Sequence, residues 1–300
     1  MLTQVGKLKL CLITLALGVG TLRAQFIQMP EGANTQLRYA ASVSYAWPST
    51  LHQGSRDLGD MDTVHWRASA GPAFRASERF IWFTGVEAQG FHFDIPSGAP
   101  VPEDLYGAAL RLGSQWQFAE KWTLVTQISP GLYSDFTDID GGDVNVPVFA
   151  LLEYKIRPEL QLYFGAGVDF RRDIPVIPLI GARWEFAERW TLQAAFPQPR
   201  VEYRLNDDVA IYAGLEYLRS SFRVGEHFGD RVGRPELNDE EISYSQWGVG
   251  AGARWRVVKP LLLFAEAGWL VDRRFHYDDR DLLLNGDGAP YLRGGLNGTF

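Results

Sequence analysis

Two stretches of this chain, Phe118-Ala-Glu-Lys-Trp-Thr-Leu124 and Phe186-Ala-Glu-Arg-Trp-Thr-Leu192, repeat one pattern. An alternating run ends on an aromatic residue, reverses through a few small or polar residues, and restarts on Trp. Looser copies fall at 74–80, 154–160, 203–209 and 255–261. Successive side chains of a β-strand point to opposite faces, so a chain held in period two is limited to a sheet joined by tight reversals. Six short reversals flanked by rings form the kind of interfacial girdle that one rim of a transmembrane β-barrel requires.

The alternation is explicit. In 106–118 one face carries Tyr106, Ala108, Leu110, Leu112, Ser114, Trp116 and Phe118, the other Gly107, Ala109, Arg111, Gly113, Gln115 and Gln117. In 160–170 the apolar set Leu160, Leu162, Phe164, Ala166, Val168 and Phe170 opposes Gln161, Tyr163, Gly165, Gly167 and Asp169. A polar face rich in Gly, Gln and charge suits a wet interior better than the outer face of a soluble sandwich.

The ends of the chain point the same way. Lys7 and Lys9, the apolar stretch from Leu10 to Gly20 and Leu22-Arg23-Ala24 read as an export signal over 1–24. Its apolar part is shorter than the about 20 residues that a membrane-spanning helix needs. Cys11 lies inside it, so the mature chain is expected to form no disulfide and to rely on packing and backbone hydrogen bonds. Without 1–24 the chain keeps 26 Lys and Arg against 36 Asp and Glu, a formal charge of −10, which argues against a nucleic-acid partner.

Turns between the alternating runs predict an all-β, transmembrane, antiparallel up-and-down barrel over 36–300. The runs are 36–47, 62–75, 79–95, 104–118, 121–135, 145–156, 159–170, 177–186, 189–196, 199–205, 209–222, 240–256, 260–273 and 289–300, about fourteen strands. Twelve follow if Phe196-Pro-Gln-Pro199 is not a reversal. The aromatic girdle is Phe74, Phe80, Phe118, Trp122, Tyr154, Phe186, Trp190, Tyr203, Trp255 and Phe300. Longer acidic connections at 48–61, 96–103, 136–144, 171–176, 223–239 and 274–288 belong to the opposite, outer rim. The segment 25–35 is expected to hang in the periplasm or fold back as a short plug.

The closing run ends on Phe300, with Leu296 and Leu292 on its face. In this it resembles bacterial outer-membrane proteins, whose last strand ends in an aromatic that the assembly machinery reads; Gly298 departs from that pattern. The stretch from Gly167-Val-Asp-Phe-Arg-Arg-Asp-Ile-Pro to Ala195-Phe-Pro-Gln-Pro-Arg-Val-Glu-Tyr-Arg-Leu is similar to a family of uncharacterised outer-membrane barrel domains. The resemblance implies fold and outer-membrane location, with lipid and the assembly machinery as partners, and no activity.

Fourteen strands about 4.7 Å apart and tilted about 40° give a barrel roughly 27 Å across. The expected lumen lining is Arg38, His65, Arg67, Glu87, Arg111, Glu153, Asp169, Arg183, Glu185, Glu202, Arg204, Glu216, Arg254, Glu266 and Arg293, with Arg256 and Asp272 on the same face. Acids and bases on neighbouring strands suit a porin-like passive channel for small polar solutes. They equally suit a closed structural or surface barrel braced by ion pairs. A second alternative is an outer-membrane lipid hydrolase with His65 as base and Ser42, Ser44 or Ser69 beside it, although no esterase signature surrounds them. The acidic stretches 135–143 and 276–288 match no Ca²⁺-loop spacing, and no catalytic residue, cofactor or metal is assigned.

Overall fold

The computed structural model describes residues 26–169 and 176–300. The expected export signal lies outside the described residues. Within them the chain forms one continuous sheet of seventeen ladder segments. Three pairs of segments are single strands interrupted once, leaving fourteen strands among the described residues.

These are β1 (Thr35–Gln53), β2 (Arg56–Ser77), β3 (Phe80–Asp94), β4 (Asp104–Ala119), β5 (Trp122–Ile128 and Gly131–Ser134), β6 (Val144–Asn145 and Val148–Arg157) and β7 (Leu160–Val168). The chain continues through β8 (Val176–Ala187), β9 (Trp190–Ala195), β10 (Arg200–Arg204), β11 (Val209–Arg223), β12 (Glu241–Val258), β13 (Leu261–Tyr277) and β14 (Leu282–Gly286 and Ala289–Thr299). Pro130 and Pro147 sit at the breaks in β5 and β6, where a residue without an N–H cannot extend the ladder. Their carbonyls still accept from Leu110 and Ser129, so the wall stays continuous.

Every strand pairs antiparallel with its sequence neighbour, and β14 closes onto β1 from Arg38 opposite Thr299 to Ala46 opposite Tyr291. Closure removes sheet edges, the condition for strands to cross a bilayer. The outward side chains include Val43, Trp82, Leu110, Trp116, Ile180 and Trp255, each between 44 and 66% exposed. In water each such side chain would forgo about 1.5–3 kcal/mol of burial; in a membrane the lipid tails cover it. No described helix is long and apolar enough to cross a membrane, and the crossing is made by strands. The Phe196-Pro-Gln-Pro199 reversal exists, joining β9 to β10, so the count is fourteen rather than twelve.

Strand length is uneven, and this decides the shape. β1 has 19 residues, β2 has 22, β12 has 18 and β13 has 17. On the other side β7 has 9, β9 has 6 and β10 has 5. A tilted strand crosses a bilayer in about 9–11 residues, so the long strands project well beyond it. The expected loop 48–61 is instead a hairpin turning at Gly54 and Ser55, with Gln53 opposite Arg56. Much of the expected loop 274–288 is likewise ladder, from Tyr277 opposite Leu282 to Arg273 opposite Gly286.

Above the short strands the wall closes a second time. Arg223 at the end of β11 pairs with Ser134 at the end of β5, and Asp135 N–H donates to the Arg223 carbonyl at 3.1 Å. The projecting part is therefore a smaller cylinder that leaves out β6 to β10. Its interior is mainly apolar: Leu51, Met61, Phe91, Phe93, Leu105, Phe222, Tyr244, Phe275 and Leu284 pack into one core. Ala99 and Val101 of the β3–β4 loop and Val224, Phe228 and Leu237 of the β11–β12 loop fold over its end. The expected room for a water-filled lumen does not extend through this projecting part, whose interior is filled.

Candidate functional site

Below the apolar cap the inward residues become charged, and ion pairs between strands organise them. Arg293 on β14 donates from Nη1 to Glu216 on β11 and from Nη2 to Glu266 on β13, both at 2.5 Å. Tyr291 donates its hydroxyl to the same Glu266 oxygen at 2.6 Å, and Gln198 donates to Glu216 at 2.7 Å. Glu202 on β10 lies between Arg254 on β12 and Arg200, the latter at 3.5 Å. Arg200 also donates to Gln193 at 2.8 Å and lies 5.0 Å over the Tyr212 ring. Removing one partner of a buried pair strands the other charge, at a cost of about 3–5 kcal/mol.

The remaining candidate lumen residues are placed as follows. Arg183 donates to Glu185 at 2.6 Å, and Lys155 lies 3.4 Å from Glu153; each pair lies within one strand. Arg111 lies 3.5 Å from Glu87 and 3.4 Å from Gln127. Asp169 accepts from Asn145 at 2.8 Å. Arg204 does not meet Glu202; it turns to the short-turn rim and donates to the Glu188 carbonyl at 3.2 Å. Arg256 likewise turns to that rim, donating to the Asp207 carbonyl at 3.2 Å.

Two arginines were missed or misplaced in period two. A bulge between Trp247 and Gly248 shifts the β12–β13 register and sends Arg273, not Asp272, inward. Arg273 is fully buried, donating to Ser49 and to the Asp287 carbonyl. Asp272 instead accepts from its outward neighbour Arg274 at 2.9 Å. Arg200 was missed because it follows Pro199 directly, at the start of a strand only five residues long.

A cavity of about 420 Å³ lies in the middle of the barrel, under the cap. Arg38, Arg67 and Arg111 line it together with Phe83, Val125 and Phe149, Arg111 lying 6.0 Å over the Phe83 ring. Toward the short-turn end, Ile27 is buried against Phe83, Leu151 and Tyr163. Its N–H donates to the Gln115 amide oxygen at 2.6 Å, and the Gln115 nitrogen donates back to its carbonyl at 3.1 Å. Phe26 stacks on Tyr163 with ring centres 5.7 Å apart, and Arg75 donates to the Met29 and Pro30 carbonyls at 3.1 Å.

His65 does not form a hydrolase site. Its ring stacks on Phe91 at 4.1 Å, nearly parallel, and its Nε2 accepts from Arg67 Nε at 3.1 Å. Ser44 donates to the His65 backbone carbonyl rather than to the imidazole. A nitrogen occupied by a guanidinium donor is not a base for a nucleophile.

The acidic loops satisfy themselves. Asp135 accepts from Thr137 N–H, the Thr137 hydroxyl and Gly225 N–H, while Asp140 and Asp143 cap each other's turn across Gly141–Asp143. Among the described residues no group of three or more His, Cys, Asp or Glu is placed to hold a metal ion.

The girdle rings form stacks around the short-turn rim. Phe74 meets Trp82 at 4.4 Å, Trp122 meets Tyr154 at 4.4 Å, and Trp190 meets Tyr203 at 4.8 Å. Phe118 and Phe186 lean on Trp122 and Trp190, and Phe300 stacks on Tyr39 at 5.3 Å. Phe80, opposite Trp116 in the ladder, and Trp255 complete the set. A second group stands at the other membrane face, Tyr45 with Trp47, and Phe196, Tyr217 and Trp247 together. The two groups bound the apolar band, as interfacial aromatics do.

A closed fourteen-stranded barrel with a lipid-facing apolar belt between two aromatic rings defines an outer-membrane β-barrel protein, lodged in the lipid bilayer. The chain belongs to the family described as "Domain of unknown function (DUF6268)", whose model matches residues 82–283. No curated protein matches it in sequence. Among solved structures it is similar to a variant of the TodX monoaromatic hydrocarbon channel, at 9% identity over 89% of this chain and 91% of that one, with a TM-score of 0.49. It is also similar to an outer-membrane channel from Pseudomonas putida F1, at 10% identity over 91% and 97%, with a TM-score of 0.49. The NanC porin matches at 9% identity over 86% and 98%, with a TM-score of 0.40.

Proposed function

We propose that this protein is a closed outer-membrane barrel whose interior ion pairs brace the wall and whose role is structural or at the cell surface. The filled outer half carries this reading. Met61, Phe91, Phe93, Tyr244 and Phe275 have no accessible surface inside the projecting cylinder, and two loops fold over its end. Water and ions cannot cross a close-packed apolar core without opening it. In a planar bilayer the folded protein is expected to give no discrete conductance steps; steady ohmic steps from the wild type would overturn the reading.

A passive channel for small polar solutes is the second reading, favoured by the 420 Å³ cavity. It requires a path around the cap and past residues 26–29. In this reading reversing Glu202 or Arg204 alters ion selectivity, whereas in a closed barrel it alters stability alone. We also assign 26–33 the role of a plug; deleting these residues should raise solute flux if the plug is what closes the inner end.

The last strand supports a role for Phe300 in assembly. Phe300 exchanges both backbone hydrogen bonds with Leu37 at 2.8 Å, completing the β14–β1 seam. Removing Phe300 is expected to slow insertion by the barrel assembly machinery in cells more than spontaneous insertion into vesicles. Equal slowing in both would reduce its role to closing the seam.

A further inference from the structure

We propose that the mid-barrel cavity is a binding site for a small organic anion with an apolar body, a carboxylate in the first instance. The cavity lining is mixed. Arg38, Arg67 and Arg111 supply three guanidinium groups, while Phe83, Val125 and Phe149 supply apolar wall. Among the described residues only Glu87 and Asp169 bring negative charge to the lining. Glu87 is engaged with Arg111 at 3.5 Å, and Asp169 is held by Asn145, whose strand segment pairs near the outer end of β5. Arg38 and Arg111 lie within electrostatic reach of each other, so like charges are held together there.

Arg67 gives the sharpest indication. Its Nε is spent on His65, and its buried Nη2 has no hydrogen-bond partner among the described residues. Glu216 and Glu87 bear on Arg67 by charge, and each is already paired, with Arg293 and with Arg111. A guanidinium with an unspent donor, at a cavity that two other guanidinium groups and apolar side chains also line, is an arrangement that recognises a carboxylate through N–H donors while burying its hydrophobic part. A neutral molecule of the same shape gains the wall and leaves the donors unmet. The site does not depend on whether the barrel conducts, since binding and conductance are separate readouts.

The test is calorimetric titration of the full chain in lipid nanodiscs with 4-phenylbutanoate and with its neutral counterpart 4-phenylbutan-1-ol, using empty discs as reference. Saturable binding of the carboxylate, with the alcohol at least about tenfold weaker, is expected for a charge-assisted pair. Arg67→Gln and Arg111→Gln should each weaken the carboxylate about tenfold while leaving the alcohol unchanged. Glu87→Gln should tighten it, which tests the site even if an arginine variant fails to fold. Binding no greater than in empty discs, equal binding of acid and alcohol, or indifference of the folded variants would each overturn the proposal.

Discussion

Arg293 and Glu216 meet at 2.5 Å across the lumen, although two strands of wall, β12 and β13, separate them. The contact is a strut between non-adjacent parts of the barrel, and Glu266 on β13 makes it three-cornered. Ladder hydrogen bonds join neighbours only, so such struts are what resist ovalisation of a wide cylinder.

Replacing Arg293 with Met leaves two buried carboxylates facing each other. A loss of about 3–5 kcal/mol is expected, with Glu216→Gln milder because its amide can still accept from the guanidinium. Urea unfolding in lipid vesicles measures both; equal stability of Arg293→Met and wild type would remove the strut.

In the cap, Phe93 is fully buried and makes edge contacts with Tyr244 at 5.0 Å and Phe275 at 4.9 Å. Phe93→Ala should cost about 3–5 kcal/mol by transfer and cavity terms. The loss should appear first as faster proteolysis of the β3–β4 and β11–β12 loops, with the membrane part still folded. Cleavage at the wild-type rate would contradict the assignment of these loops to the same core.

Burial raises the Asp143 carboxyl above its ordinary value of 3.8, with the Asp140 charge adding to the rise and Arg223 opposing it. A raised carboxyl binds more protons folded than unfolded, so local stability falls as pH rises from the ordinary value through the raised one. Asp143→Asn keeps an acceptor for the Asp140 N–H and should flatten that pH dependence, measured by hydrogen exchange in 135–143. An unchanged slope would exclude Asp143 as its source.

At the short-turn rim, Trp122 and Tyr154 stack at 4.4 Å on neighbouring strands. A double-mutant cycle replacing each with Leu should give a coupling of about 0.5–1.5 kcal/mol. Additive losses would reduce these rings to independent lipid anchors.

Much of the barrel was legible because the bilayer imposes strict alternation on each strand that crosses it. The six tight reversals, the outward rings and the pairing of 106–118 with its neighbours follow from that single demand. Legibility fails where the chain leaves the membrane. Beyond the outer interface the inward face of β2 and β3 becomes Met61, Phe91 and Phe93, which breaks the polar-inside rule that the membrane part obeys. The bulges after Ala46 and near Val271 also reset parity, so Asp272 and Arg273 exchange faces.

The partners of the lumenal charges were beyond period two altogether. Glu202 and Arg204 are neighbours on one face, yet Glu202 pairs with Arg254 while Arg204 turns to the Glu188 carbonyl. Sequence alone determined the class of fold and the alternation along the membrane-spanning strands, because these depend on local periodicity and on the solvent each face meets. Tertiary structure decided that β5 and β11 meet above the short strands, that the outer lumen is filled, and that Arg67 retains an unspent donor beside a cavity. Those outcomes depend on strand length, register and closure, which bring together residues as distant in sequence as Ser134 and Arg223.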